Sequence, residues 1–117
     1  IDSYRYGYLA RALGNIGFNK EKKNLKLVRP SDIMQVFTKI GSTFNQEKIV
    51  WGDDPLMRWF TNNTKAVPAL HNNFTYEKIE PKSRKTDGFM AYVAAMTIEN
   101  DLSEYIGPLS FIDVITL

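Results

Sequence analysis

The sequence predicts an α/β domain. Three observations carry that reading: blocks of apolar side chains at helical spacing, short extended-looking segments between them, and two alternating segments joined by Leu70-His71-Asn72-Asn73. The expected order is strand, helix, strand, helix, helix, hairpin, helix. One short central strand and a hairpin make a thin sheet for so many helices. A complete α/β sheet would draw further strands from upstream of Ile1.

Ile1 and Asp2 read as the end of a strand. Across residues 4–16, Tyr8, Leu9, Ala12, Leu13 and Ile16 fall on one helical face, and Gly17 suits a left-handed cap at its C-terminus. Residues 25–28 form a short strand candidate after a basic turn, and Pro30 ends it. Ser31 or Asp32 then caps a helix whose inward stripe is Ile33, Phe37, Ile40 and Phe44. Residues 48–51 suit a short extended piece. Gly52-Asp53-Asp54-Pro55 starts another helix, with Asp at the cap and Pro in the first turn, and directs Leu56, Trp59 and Phe60 to the core. Residues 65–70 and 74–79 alternate as the arms of a β-hairpin, with Pro68 marking an edge or irregularity. Glu80-Pro81-Lys82-Ser83 breaks the second arm. Thr86 or Ser83 caps a last helix, to about Asn100, with Phe89, Val93 and Met96 on one face and small Ala91, Ala94 and Ala95 allowing close approach. Residues 105–117 carry too many hydrophobes for a free tail and are expected to pack on this domain or on another chain.

At 117 residues, 44% hydrophobic and 24% charged, the chain fits one ordinary globular domain, with core elements in residues 1–100 and an apolar extension in 101–117. It has no cysteine, which excludes disulfides and thiolate metal sites and fits a reducing cytosol. No apolar run approaches the roughly 20 residues of a membrane-spanning helix. The net charge of +2 does not by itself mark a nucleic-acid binder. Charge placement is more informative: Lys20, Lys22, Lys23, Lys26 and Arg29 crowd one stretch, and Lys82, Arg84 and Lys85 another.

Two acidic residues occupy positions suited to chemistry. Asp2 ends the first strand directly before a helix, and Asp87 lies in the first turn of the last helix. Carboxylates are hard oxygen ligands for Mg²⁺ or Mn²⁺. Two-metal nucleases hold their ions about 3.5–4 Å apart with several such groups, so two carboxylates form only part of a set. An Asp in a first helical turn more commonly caps the helix or complements its dipole. Lys82, Arg84 and Lys85 suit phosphate contact, although a basic loop of this kind is usually solvated. The 20–29 cluster reads as a solvated turn. Arg5 is placed to orient Asp2 or to touch phosphate. Arg58 and Asp54 share a helix face, where a guanidinium can hold a carboxylate in a structural pair. His71, the sole histidine, falls in the hairpin turn. The two Asn-x-Thr matches at Asn62 and Asn73 read as chance.

Three segments together resemble one family. Asp54-Pro55-Leu56-Met57-Arg58-Trp59 with the following Asn62-Asn63, the run from Lys82 through Asp87-Gly88 to Ala91, and the opening Ile1-Asp2-Ser3-Tyr4-Arg5 are similar in order and rough spacing to the nuclease domain of phage terminase large subunits. The family's pattern has Pro where Ser3 stands, Ile where Thr86 stands and commonly Asn where Asp54 stands; none of these departures removes a candidate ligand. The resemblance implies an RNase H-like nuclease fold lacking its first strands. It implies a catalytic carboxylate cluster binding Mg²⁺ or Mn²⁺, with Asp2 as the second acidic ligand and Asp87 as the last. The first ligand would lie upstream of Ile1, so this stretch alone would hold only part of the site. Arg5, Lys82, Arg84 and Lys85 become candidate DNA contacts.

The activity so implied is endonucleolytic cleavage of concatemeric viral DNA during genome packaging, in the cytoplasm of a bacterial host. The partners so implied are double-stranded DNA, the portal and the terminase small subunit, with no membrane. Self-association through an open strand edge or through 105–117 is a further expectation. No G-x-x-x-x-G-K-[ST] loop occurs, so no ATPase motor is encoded in these residues. Two other readings stay open. One is a non-catalytic phage assembly or interaction module; the other is a piece of another RNase H-like nuclease or recombinase.

Overall fold

A computed structural model describes residues 1–99 and 101. Among them are four α-helices and one two-stranded antiparallel sheet: α1 Tyr6–Gly14, α2 Pro30–Asn45, α3 Pro55–Asn62, β1 Thr64–Pro68, β2 Phe74–Lys78 and α4 Asp87–Met96. The chain is thus a small mixed helix–sheet domain. Parallel pairing is confined, among the described residues, to one bridge between Asp2 and Val28. Its hydrogen bonds run from Ser3 N to Val28 O at 3.1 Å and from Val28 N to Ile1 O at 2.7 Å. The two expected strands at the start of the chain therefore shrink to a single contact. Residues 48–51 also fail to pair into a sheet. The expected packing of residues 105–117 falls outside the described residues.

Local chemistry explains most boundaries. α1 stops where Gly17 takes φ +96°, and Phe18 N returns to Leu13 O at 2.9 Å, closing the last turn. α2 begins one residue earlier than its expected cap. Pro30 occupies the first turn, and the Asp32 carboxylate reaches back to accept from Arg29 N at 2.8 Å. α3 starts as the sequence indicates: Asp54 Oδ1 accepts from Leu56 N at 2.9 Å and Met57 N at 3.2 Å. The hairpin pairs Thr64 with Lys78 through to Pro68 with Phe74, so Pro68 ends its strand and disturbs little of the ladder. His71 and Asn72 turn the chain with φ of 57° and 60°.

The core is small. Ile40, Phe89 and Val93 are buried together, with Phe44, Phe60, Tyr76, Tyr92 and Met96 packed around them. Aromatic rings fill much of the space: Tyr76 meets Phe89 edge-on at 5.1 Å and Trp51 meets Tyr92 at 5.2 Å. The Cα radius of gyration is 15.7 Å, against roughly 13 Å for a compact chain of this length. The apolar stripe of α1 and the turn after it is largely uncovered among the described residues, with Tyr8 in the helix 81% and Ile16 in the turn 69% exposed, and no α1 residue is buried. No helix among the described residues is long and apolar enough to cross a membrane.

Candidate functional site

The start of α4 is where separated segments converge. Asn63, just past the end of α3, is buried, and its Nδ2 donates to Lys85 O at 2.9 Å. Its own carbonyl accepts from Ile79 N at 2.8 Å, tying the exit of β2 to the same point. Thr86 is buried in the capping position of α4, and its carbonyl accepts from Met90 N at 2.9 Å; no side-chain cap bond forms. Gly88 then lies so close to α3 that a Cβ there would sit 2.3 Å from Phe60 Cδ2 and 2.8 Å from Met57 Sδ. Close helix approach therefore depends on Gly88, and not on the alanines, of which Ala91 and Ala95 are exposed. Asn63 and Gly88 were visible in the sequence only as parts of longer runs. Their positional roles come from contacts that span more than twenty residues.

This framework leaves Asp87 exposed at the first turn of α4, with the 82–85 loop before it. Lys82, Arg84 and Lys85 are exposed as well. Arg84 is partly engaged, its Nε lying 3.9 Å from Glu80 Oε2. Three cations at a helix N-terminus give a surface able to meet phosphate.

Asp2 is placed differently. Its carboxylate caps the 3₁₀ turn Ser3–Arg5, with Oδ1 accepting from Tyr4 N at 3.0 Å, and it is exposed. Arg5 closes the same turn. The segment that pairs with Asp2 runs past the C-terminal end of α4: Lys26 Nζ donates to Thr97 O at 3.1 Å, and Ile1 N donates to Lys26 O at 2.6 Å. Asp87 opens α4, and a helix of ten residues is about 15 Å long. The two acids are thus anchored through opposite ends of α4. Among the described residues, no group of three or more His, Cys, Asp or Glu side chains is gathered to hold a metal ion.

Other sequence-derived expectations meet specific competitors. Arg58 lies 3.7 Å from Asp53, not against Asp54, whose carboxylate is occupied in capping α3. Leu56 and Trp59 are exposed, because α3 turns Met57 and Phe60 toward α4 instead. His71 is exposed in the hairpin turn. Tyr92 presents a buried hydroxyl without a hydrogen-bond partner. Burial, with a smaller contribution from Tyr92, pushes the Tyr76 hydroxyl pKa up to about 12; burial and then Glu99 raise that of Tyr92.

No protein-family model matches this chain, and neither the curated proteins nor the solved structures gave a significant match.

Proposed function

We propose that this chain is part of a divalent-metal-dependent DNA endonuclease of the terminase large subunit type, built on an RNase H-like scaffold and cutting concatemeric viral DNA during packaging. The supporting observation is the contact between two of the segments that carry the resemblance. Asn63, from the end of the first, holds Lys85 in the second, and Gly88 seats the second on the first. The result is an exposed carboxylate, Asp87, presented from a buried seam with basic residues before it.

In this reading Asp87 supplies one hard oxygen ligand for Mg²⁺ or Mn²⁺. Asp2, whose carboxylate caps the Ser3–Arg5 turn and which is anchored through the far end of α4, is not counted in this set, and the remaining ligands come from outside the described residues. A bound divalent ion supplies charge stabilisation and an activated water for in-line attack on a phosphodiester. Lys82 and Lys85 hold the DNA backbone beside Asp87, with Arg5 and Arg84 as further phosphate contacts. Asn63 and Gly88 fix the entry of α4, so Asp87 keeps its position as the backbone approaches.

The test is Mn²⁺-dependent nicking of supercoiled plasmid by a longer polypeptide that includes these residues. Asp87→Ala should lower the rate at least about a hundredfold, equivalent to roughly 2.7 kcal/mol. Asp2→Ala is assayed separately, because the two carboxylates are anchored at opposite ends of α4. Unchanged nicking in Asp87→Ala removes its assigned role.

One observation favours a second reading, an interaction module. The apolar stripe of α1 is uncovered among the described residues. Light scattering of the chain with Tyr8→Ser and Ile16→Ser separates the readings: loss of self-association without loss of nicking assigns α1 to assembly.

A further inference from the structure

The basic stretch between α1 and α2 lines a groove of its own, away from the start of α4. We infer that this groove binds the phosphodiester backbone of a nucleic acid. The groove measures about 870 Å³ and is bordered by Lys20, Lys23, Lys26 and Arg29, with Leu25 and Ile98 contributing apolar wall. It takes its class of ligand from the endonuclease reading but stands on a separate surface.

Three features distinguish it from a solvated loop. First, the loop is braced from within. Asn24 Oδ1 accepts from Asn19 N at 2.9 Å, Asn19 Oδ1 accepts from Lys22 N at 2.8 Å, and Asn24 Nδ2 donates to Gly17 O at 3.0 Å. Lysines on a backbone fixed in this way meet a ligand with less ordering cost. Second, the cations are unspent. None of the four is ion-paired among the described residues, although Asp32 and Asp101 also line the groove. Asp32 is engaged with Arg29 N at the start of α2. Lys26 is tethered to Thr97 O, and Lys20 lies 4.7 Å over the Tyr6 ring, a contact that leaves its charge available. Third, the groove is larger than a single anion needs. A groove of this size bordered by four cations exceeds the needs of a single phosphate, and among the described residues no aromatic ring lines it to stack a base. Contact would therefore be to backbone, independent of sequence.

The experiment measures binding of the full chain to fluorescein-labelled DNA of about 20 nucleotides, duplex and single-stranded, across roughly 50–200 mM salt in EDTA. Lys20→Gln, Lys23→Gln and Arg29→Gln are combined, and Lys26 is kept because it holds Thr97. The triple variant should bind at least tenfold more weakly at low salt. The slope of log affinity against log salt should become shallower by about 2–3, each lost duplex contact removing roughly 0.9. The charge-preserving set Lys20→Arg, Lys23→Arg and Arg29→Lys should retain binding, which separates lost charge from lost fold. Unequal loss on the two DNA forms identifies the preferred one. Unchanged affinity and slope in the Gln variant, with its circular dichroism intact, overturns the inference. So does displacement of DNA by inorganic phosphate at an ionic strength where chloride is without effect, since that marks a site for a single anion. Omitting metal keeps the outcome independent of nicking, so this inference and the nuclease reading can fail separately.

Discussion

Replacing a single glycine hydrogen by methyl should have opposite effects at two helical positions in this chain. At Gly88 a Cβ would lie 2.3 Å from Phe60 Cδ2, 2.8 Å from Met57 Sδ and 2.9 Å from Phe60 Cε2. Favourable carbon contacts lie near 3.5–4.0 Å, so the ring must retreat by about 1 Å or more. Met57 has a flexible thioether and can yield. Phe60 packs on the cluster of Ile40, Phe89 and Val93, so its displacement disturbs the core. Overpacking of this kind costs about 1–3 kcal/mol, while the gain in helix propensity from Gly to Ala is at most about 1 kcal/mol. Gly88→Ala should therefore lose about 1–2 kcal/mol. At Gly41, inside α2, a Cβ meets nothing within 4 Å. Gly41→Ala should gain about 0.5–1 kcal/mol, through reduced backbone entropy of the unfolded chain and better helix propensity. Urea unfolding followed by circular dichroism reads both, with a slope of roughly 1–3 kcal/mol per molar. The Gly88→Ala midpoint should fall by about 0.5–1 M and the Gly41→Ala midpoint should rise. A Gly88→Ala midpoint at or above that of the parent chain would refute the close approach of α3 and α4.

Two further outcomes follow from polar groups in packed surroundings, Asn63 buried and Tyr76 half-buried. Asn63→Ala should cost about 1–3 kcal/mol, because Lys85 O loses its donor within a packed seam; amide exchange in residues 84–88 should speed up more than in the hairpin turn. For Tyr76 the neutral phenol is favoured in the folded state, with its pKa pushed from 10.0 to about 12. Between those values the unfolded chain releases a proton that the folded chain keeps, so stability is full below pH 10 and falls as pH rises toward 12. Thermal melts across that range should show a smaller alkaline loss in Tyr76→Phe than in the parent chain.

Some of the fold was legible because it is settled within a few residues. Asp54-Pro55 starts α3 through hydrogen bonds two and three positions ahead. The Gly17 cap and the Pro68-bounded hairpin are local in the same sense. Phe89 and Val93 could be assigned to the core because α4 has a neighbour on that side. The α1 stripe has the same periodicity as a buried helix, yet Tyr8 and Ile16 remain exposed. Periodicity marks a face that could be buried and does not supply the surface that covers it. At the candidate site, Asp87 and its basic neighbours were legible as a cluster in sequence, whereas Asn63 had no mark of its importance beyond its place in a motif.

By itself the sequence determined where several backbone groups find nearby partners: the cap of α3, the turn at Gly17, the presence of the hairpin and the basic character of two loops. These depend on short-range sterics and hydrogen bonding, which the order of residues fixes. Tertiary structure alone decided which helix faces are covered and why Gly88 must be small. It also anchored Asp2 and Asp87 through opposite ends of α4. Those outcomes depend on distances between segments far apart in the chain, set by packing of the whole core.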